Sequence, residues 1–132
     1  MTSPPPPSGF RPLASRSPFV SGAGDFHVRD NDDGSRSVGT WIGEAQCNSE
    51  GFAHGGFLLT FADFTLTIMT NAITLNINAD FLRPARLGAW IEGRIHIRKQ
   101  SPTLIFADEI ITCEGQELMR VGGLFKPYEK RP

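Results

Sequence analysis

Cysteine is scarce: Cys47 and Cys113 are the two in 132 residues, and they form neither a CxxC pair nor a disulfide framework. Such usage fits a reducing cytoplasm. The three histidines, His27, His54 and His96, are scattered without metal-ligand spacing, so no metal is expected. No stretch of about 18 residues is apolar enough to span a bilayer. Prolines stand where a signal peptide would carry its apolar core, which argues against secretion. Nor is there an excess of one charge. Thirteen basic and fourteen acidic residues leave a net charge of −1 and a pI near 6.3, so nucleic acid and anionic membranes have no electrostatic footprint here. The short basic groupings, Arg83 with Arg86 and Arg94 with Arg98 and Lys99, are mixed with acids.

What is present is ordinary for a soluble globular chain: 39% hydrophobic and 20% charged residues, at a length that suits one domain. Residues 1–23 differ from the rest. Pro4 to Pro7 form a polyproline run followed by scattered Ser, Gly and Pro, which reads as a flexible, extended arm preceding a domain over 24–132. Asn31-Asp32-Asp33-Gly34 is a turn cluster, and Phe26 to Arg29 can pair with Ser37 to Cys47 across it as a hairpin.

Gly55 to Asn71 is ambiguous in part. Leu66 and Ile68 alternate with Thr65 and Thr67, as in a strand. The run is nevertheless long, begins with glycines and has no internal turn residues. At helical spacing Gly56, Thr60, Asp63, Thr67 and Thr70 form one stripe, and the remaining faces are apolar, the pattern of a buried helix. After it the period becomes two. Ile73, Leu75, Ile77, Ala79 and Phe81 alternate with polar residues, as do Ala89, Ile91, Gly93, Ile95 and Ile97. Arg83 to Gly88 connects these two strands. Thr103 to Cys113 and Glu117 to Phe125 follow, separated by short turns. Four such strands after one buried helix imply an antiparallel sheet around that helix.

Asp63 is the one charged residue inside the apolar run, and a buried carboxylate needs a partner or a task. The plain alternative is a structural hydrogen bond to Thr67 or a strand amide. Gly55 and Gly56 open the helix, whose first N–H groups lack intrahelical acceptors and suit a developing negative charge. They also permit tight packing. Asp63 lies two turns on from Gly56 along the same side. A donor for an oxyanion and a carboxylate on one face are minimum equipment for attack on an acyl carbonyl. His54 suits a cap or a loop-orienting role, and Asn48 stands among turn formers. Cys47 bears no mark of an activated thiolate.

The run Asn48-x-x-Gly51-x-x-His54-Gly55-Gly56, with Asp63 following, resembles the phenylacetate-pathway (PaaI-like) type of hotdog-fold acyl-CoA thioesterases. Asn78-Ala79-Asp80-Phe81-Leu82-Arg83-Pro84-Ala85-Arg86-Leu87-Gly88 resembles that family's second signature, and the resemblance spans Val38 to Phe125 in order and spacing. It implies an α+β hotdog fold, an antiparallel sheet of about five to six strands wrapped around one long central helix. The helix reading of Gly55 to Asn71 draws part of its support from it. The implied activity is hydrolysis of an acyl-CoA thioester to a free acid and coenzyme A, the coenzyme being part of the substrate and no separate cofactor being needed. Asp63 would be general base or nucleophile, and the Gly55 N–H would polarise the carbonyl with Gly56 beside it. Asn48 would position the water or the thioester, His54 would support the loop, and Thr74 would stand where relatives carry a serine that holds the nucleophilic water. Arg83, Arg86, Arg98 and Lys99 are candidates for the coenzyme A phosphates, against the commoner fate of solvated surface. The family's site lies between subunits, which implies a homodimer or a homotetramer. The alternative is a non-hydrolytic acyl-CoA binding protein on the same scaffold. A hotdog dehydratase would need a histidine–acid motif of its own, which the chain lacks. The acyl group is left open, since Phe52, Phe57, Phe61 and Phe64 suit either an aromatic or medium-chain pocket or plain core packing.

Overall fold

The run opened by Gly55-Gly56 folds as helix, not strand. In a computed structural model describing residues 3–129, Gly55–Thr70 form one α-helix, α2, entered from an extended His54 (φ −62°, ψ 139°). Left-handed Asn71 (φ 52°) ends it, donating its N–H to Thr67 O. The threonines that argued for a strand satisfy themselves within the helix. Thr60, Thr65, Thr67 and Thr70 return their hydroxyls to the carbonyls of Gly56, Phe61, Phe64 and Leu66. Leu58, Phe61, Ala62, Thr65 and Leu66 are the buried side of α2.

Seven antiparallel strands form one sheet around it: β1 Arg11–Pro12, β2 Phe26–Asp30, β3 Arg36–Trp41, β4 Ala72–Phe81, β5 Trp90–Gln100, β6 Ile105–Cys113 and β7 Gln116–Pro127, in the order β1-β2-β3-β5-β6-β7-β4. This is the expected hotdog arrangement, with a short extra strand, β1, at one edge. Val38, Ile91, Ile105, Ile111, Met119, Val121 and Phe125 face Phe61 and Leu66 of α2 in a single core. The β2–β3 hairpin turns at Asn31–Ser35 as expected. Its second arm stops at Trp41, short of Cys47, because Gly43 and Gln46 close a 3₁₀ turn over Glu44–Gln46.

Two expectations need correction. The sequence alternation made Ile73, Leu75, Ile77, Ala79 and Phe81 one buried face. A bulge between Thr74 and Asn76 breaks the register, so Ile77 and Ala79 pack on the core while Ile73 and Leu75 are exposed. β4 is moreover the sheet's terminal strand, paired among the described residues with β7 alone. The N-terminal segment is also more than an extended arm. β1 pairs with β2, and Pro18–Ala23 form a short helix, α1, started by Ser17 and Pro18.

Phe10 anchors that segment on the sheet's outer face. Its ring meets Trp90 edge-on at 5.0 Å, with the Arg29 guanidinium 4.6 Å over it, and Trp41 abuts Trp90 at 5.1 Å. Trp90 can lie there because Gly39 beneath it has no Cβ. Phe10→Ala is expected to cost about 3 kcal/mol. A lower denaturation midpoint, together with faster proteolysis ahead of β2, would show it.

Candidate active site

The two sequence motifs, some thirty residues apart, pack into one unit. Asn48 and Phe52 close a loop through Asn48 N–H to Phe52 O (2.7 Å), and the Asn48 Oδ1 accepts from the N–H groups of Glu50 (2.9 Å) and Phe52 (3.1 Å). Gly51 takes the left-handed conformation this loop requires (φ 81°). The β4–β5 connection then grips the loop: Ala53 N–H donates to Ala85 O (2.8 Å), Leu87 N–H donates to Gly51 O (2.9 Å), and Arg86 lies 5.1 Å over the Phe52 ring. Asn48 thus spends its side-chain oxygen on the loop, leaving its amide nitrogen to reach outward.

This frame delivers the chain to α2. His54 N–H donates to Gln46 O (2.9 Å), but the exposed imidazole makes no capping bond, so His54 holds the loop through its backbone alone. The N–H groups of Gly55, Gly56 and Phe57 have no protein acceptor among the described residues. Both glycines are exposed. A Cβ on Gly56 would meet nothing, whereas one on Gly55 would touch the Phe81 ring at 3.4 Å. The helix therefore presents three free donors and the positive end of its dipole to an open space walled on one side by Phe81.

Asp63 is half-buried on the face of α2 that meets β4, where Thr74 Oγ1 donates to Asp63 Oδ1. The β4 bulge is what turns Thr74 toward the helix just before Ile77 does the same. Thr67 is not the partner of Asp63, for its hydroxyl bonds to Phe64 O at 3.0 Å. The second Asp63 oxygen is left for another proton or for water.

Other candidates are placed elsewhere. Arg83 donates to Glu117 O (2.8 Å) and is exposed, as is Arg86. Arg98 forms a double hydrogen bond with Asp108 (2.7 and 3.1 Å), which offsets its charge. Phe57, Phe61 and Phe64 pack around Phe26 at 5.4–6.1 Å, a core cluster. Burial, reinforced by the Glu44 charge, pushes the Cys47 thiol up, away from thiolate chemistry. Among the described residues no three His, Cys, Asp or Glu side chains converge as a metal site, and no helix is long and apolar enough to cross a membrane. Two residues were given no part in the site by the sequence reading: Phe81, read there on a buried strand face but exposed at the helix mouth, and Glu109, fully buried beneath α2.

Residues 50–119 match the family model of the thioesterase superfamily, and the chain belongs to that family. It is 30% identical over 127 residues to "Putative esterase PA0474" of Pseudomonas aeruginosa, covering 90% of this chain and 95% of that protein. The structure of the TT0310 protein from Thermus thermophilus superposes with a TM-score of 0.76 at 26% identity, over 86% of this chain and all (100%) of that one. A hypothetical thioesterase protein from Streptococcus pneumoniae TIGR4, solved with coenzyme A, shares the fold at a TM-score of 0.77 and 21% identity, over 86% and 95% of the two chains.

Proposed function

We propose that this protein hydrolyses an acyl-CoA thioester to the free acid and coenzyme A in sites shared between two copies of the chain. The observation that carries the reading is the pairing of a helix N-terminus whose first N–H groups have no protein acceptor with a carboxylate whose one side-chain partner among the described residues is a hydroxyl. The free N–H groups at Gly55 and Gly56 stabilise the oxyanion as the carbonyl is attacked. Asp63 either attacks to give a mixed anhydride or takes the proton of an attacking water, and Thr74 holds it in line.

The family resemblance implies this sharing, and helix geometry supports it. Seven residues at 1.5 Å each put Asp63 roughly 10 Å along the axis from Gly56, whereas attack requires reacting atoms within about 3.5 Å. That separation favours a site in which the two groups come from different copies of the chain. The unpaired edge of β4, with Ile73 and Leu75 exposed, offers the means. Two β4 strands joined about a two-fold axis would lay Asp63 of each copy toward the helix mouth of the other. Arg83 and Arg86, exposed on the β4–β5 connection that grips the Asn48–Phe52 loop, are suited to the coenzyme's phosphates, the ligand held by the pneumococcal relative.

The test is release of free thiol from a panel of aryl and aliphatic acyl-CoAs, with the sedimentation mass measured alongside. Turnover by a species of at least two chains is expected. A monomer that hydrolyses thioesters would sink the shared site, and a CoA-ester binder without turnover would favour the non-hydrolytic reading.

A further inference from the structure

Glu109 is wholly buried in the middle of β6, on the same inward parity as Ile105, Ala107 and Ile111. Room for its carboxyl exists because β5 has no side chain at the diagonal position: a Cβ on Gly93 would overlap Oε2 and Cδ. Oε1 lies 2.8 Å from Thr65 Oγ1 on α2, while Oε2 has no hydrogen-bond partner. No charge answers it. The inward residues beside it are Ile91, Gly93 and Ile95 on β5 and Met119 and Val121 on β7. The ionisable residue of α2, Asp63, points to Thr74 on β4.

Burial, opposed in part by the Thr65 hydrogen bond, pushes the Glu109 carboxyl up to about 8. As a neutral acid it completes a relay. Its O–H donates to Thr65 Oγ1, and Thr65 spends its single proton on Phe61 O, 2.9 Å away. Ionised, it accepts the Thr65 hydrogen bond in place of Phe61 O and leaves its other, bare carboxylate oxygen under the helix.

Apolar burial holds α2 on the sheet without direction, whereas this bond fixes one point of contact. Of the side-chain hydrogen bonds that tie α2 to the sheet among the described residues, Thr65–Glu109 is the one that is fully buried; Asp63–Thr74 is part-buried and Arg36–Met69 exposed. Thr65 stands two residues from Asp63. We propose that Glu109 is a positioning residue for the reaction: seated in the notch left by Gly93 and bonded to Thr65, it fixes the rotation and height of α2 and so sets where Asp63 stands. This rests on the hydrolase reading for its kinetic consequence alone.

The test compares the full-length wild type with Glu109→Gln, whose amide keeps the shape and a donor to Thr65, and Glu109→Val, which fills the space without the bond. At pH 7 Glu109→Gln should turn over within about twofold of wild type, and Glu109→Val about tenfold or more slower in kcat with KM unchanged. The folded wild type keeps a proton that the unfolded chain releases above 4.5, so raising the pH favours unfolding. Relative to Glu109→Gln, its folding constant should fall by about tenfold per pH unit from 4.5 to about 8, then level off. Wild-type activity should decline above that range, and Glu109→Gln should be spared. In ¹³C-glutamate-labelled wild type, one side-chain carboxyl resonance should titrate near 8. Parallel stability profiles with no such resonance would overturn the neutral acid. A folded Glu109→Val as active as wild type would overturn the positioning role. Should no thioester be hydrolysed by any form, the hydrolase reading fails by itself. The Asp63 side-chain ¹³C shift, moved in Glu109→Val and unmoved in Glu109→Gln, then decides the positioning role.

Discussion

Asp63→Asn is expected to lower kcat for thioester hydrolysis by about 10²–10⁴-fold while changing the affinity for a coenzyme A ester by no more than a few-fold. The amide is nearly isosteric with the carboxylate and can still accept from Thr74 Oγ1, so the β4–α2 contact survives. What it cannot do is attack the carbonyl or take a proton from water. The donors at Gly55 and Gly56 are backbone groups at the far end of α2 and are untouched by the change. Substrate binding and oxyanion stabilisation should therefore persist, leaving residual turnover above the uncatalysed rate. Single-turnover thiol release and equilibrium binding of a non-hydrolysable CoA thioether separate the two effects. A loss of binding equal to the loss of turnover would instead make Asp63 a structural residue.

Much of this site was legible because its residues stand out against their immediate surroundings. A glycine pair ahead of a long apolar run and one acid within that run are local signals, and the structure places them at the mouth and on the β4 face of α2. The strand alternations after Asn71 were legible for the same reason: a period of two is visible wherever one face is buried. What was hidden depended on partners distant in sequence. The β4 bulge turns Thr74 toward Asp63, and a bulge leaves no mark in a run that alternates cleanly from Ile73 to Phe81. Phe10 became an anchor through Trp90 and Arg29, eighty and nineteen residues away, so the prolines around it suggested only an extended arm. Glu109 did leave a trace. It occupies an inward position in the alternation of β6, and Gly93 occupies one in β5, but neither explains the other until the register of the two strands is known.

That register gives the second large effect. Gly93→Ala is expected to destabilise the protein by about 3 kcal/mol or more, far beyond the cost of an alanine in an open strand position. The added methyl would occupy the volume of the Glu109 carboxyl, which has nowhere to retreat under α2 and no second partner to follow. Gly39 supplies the contrast, since its missing Cβ makes room for Trp90, an aromatic plane on the outer face. Glu109→Ala in the wild-type background removes a poorly satisfied acid but leaves a cavity, two effects of opposite sign. In the Gly93→Ala background the same truncation also removes the clash, and the new methyl fills part of the vacated space. The two substitutions should therefore be non-additive, the double variant being more stable than their sum by about 2 kcal/mol. Chemical denaturation of the four proteins measures the coupling directly. A coupling near zero would mean that Gly93 is there for the backbone of β5 alone, and that the Glu109 notch is incidental to it.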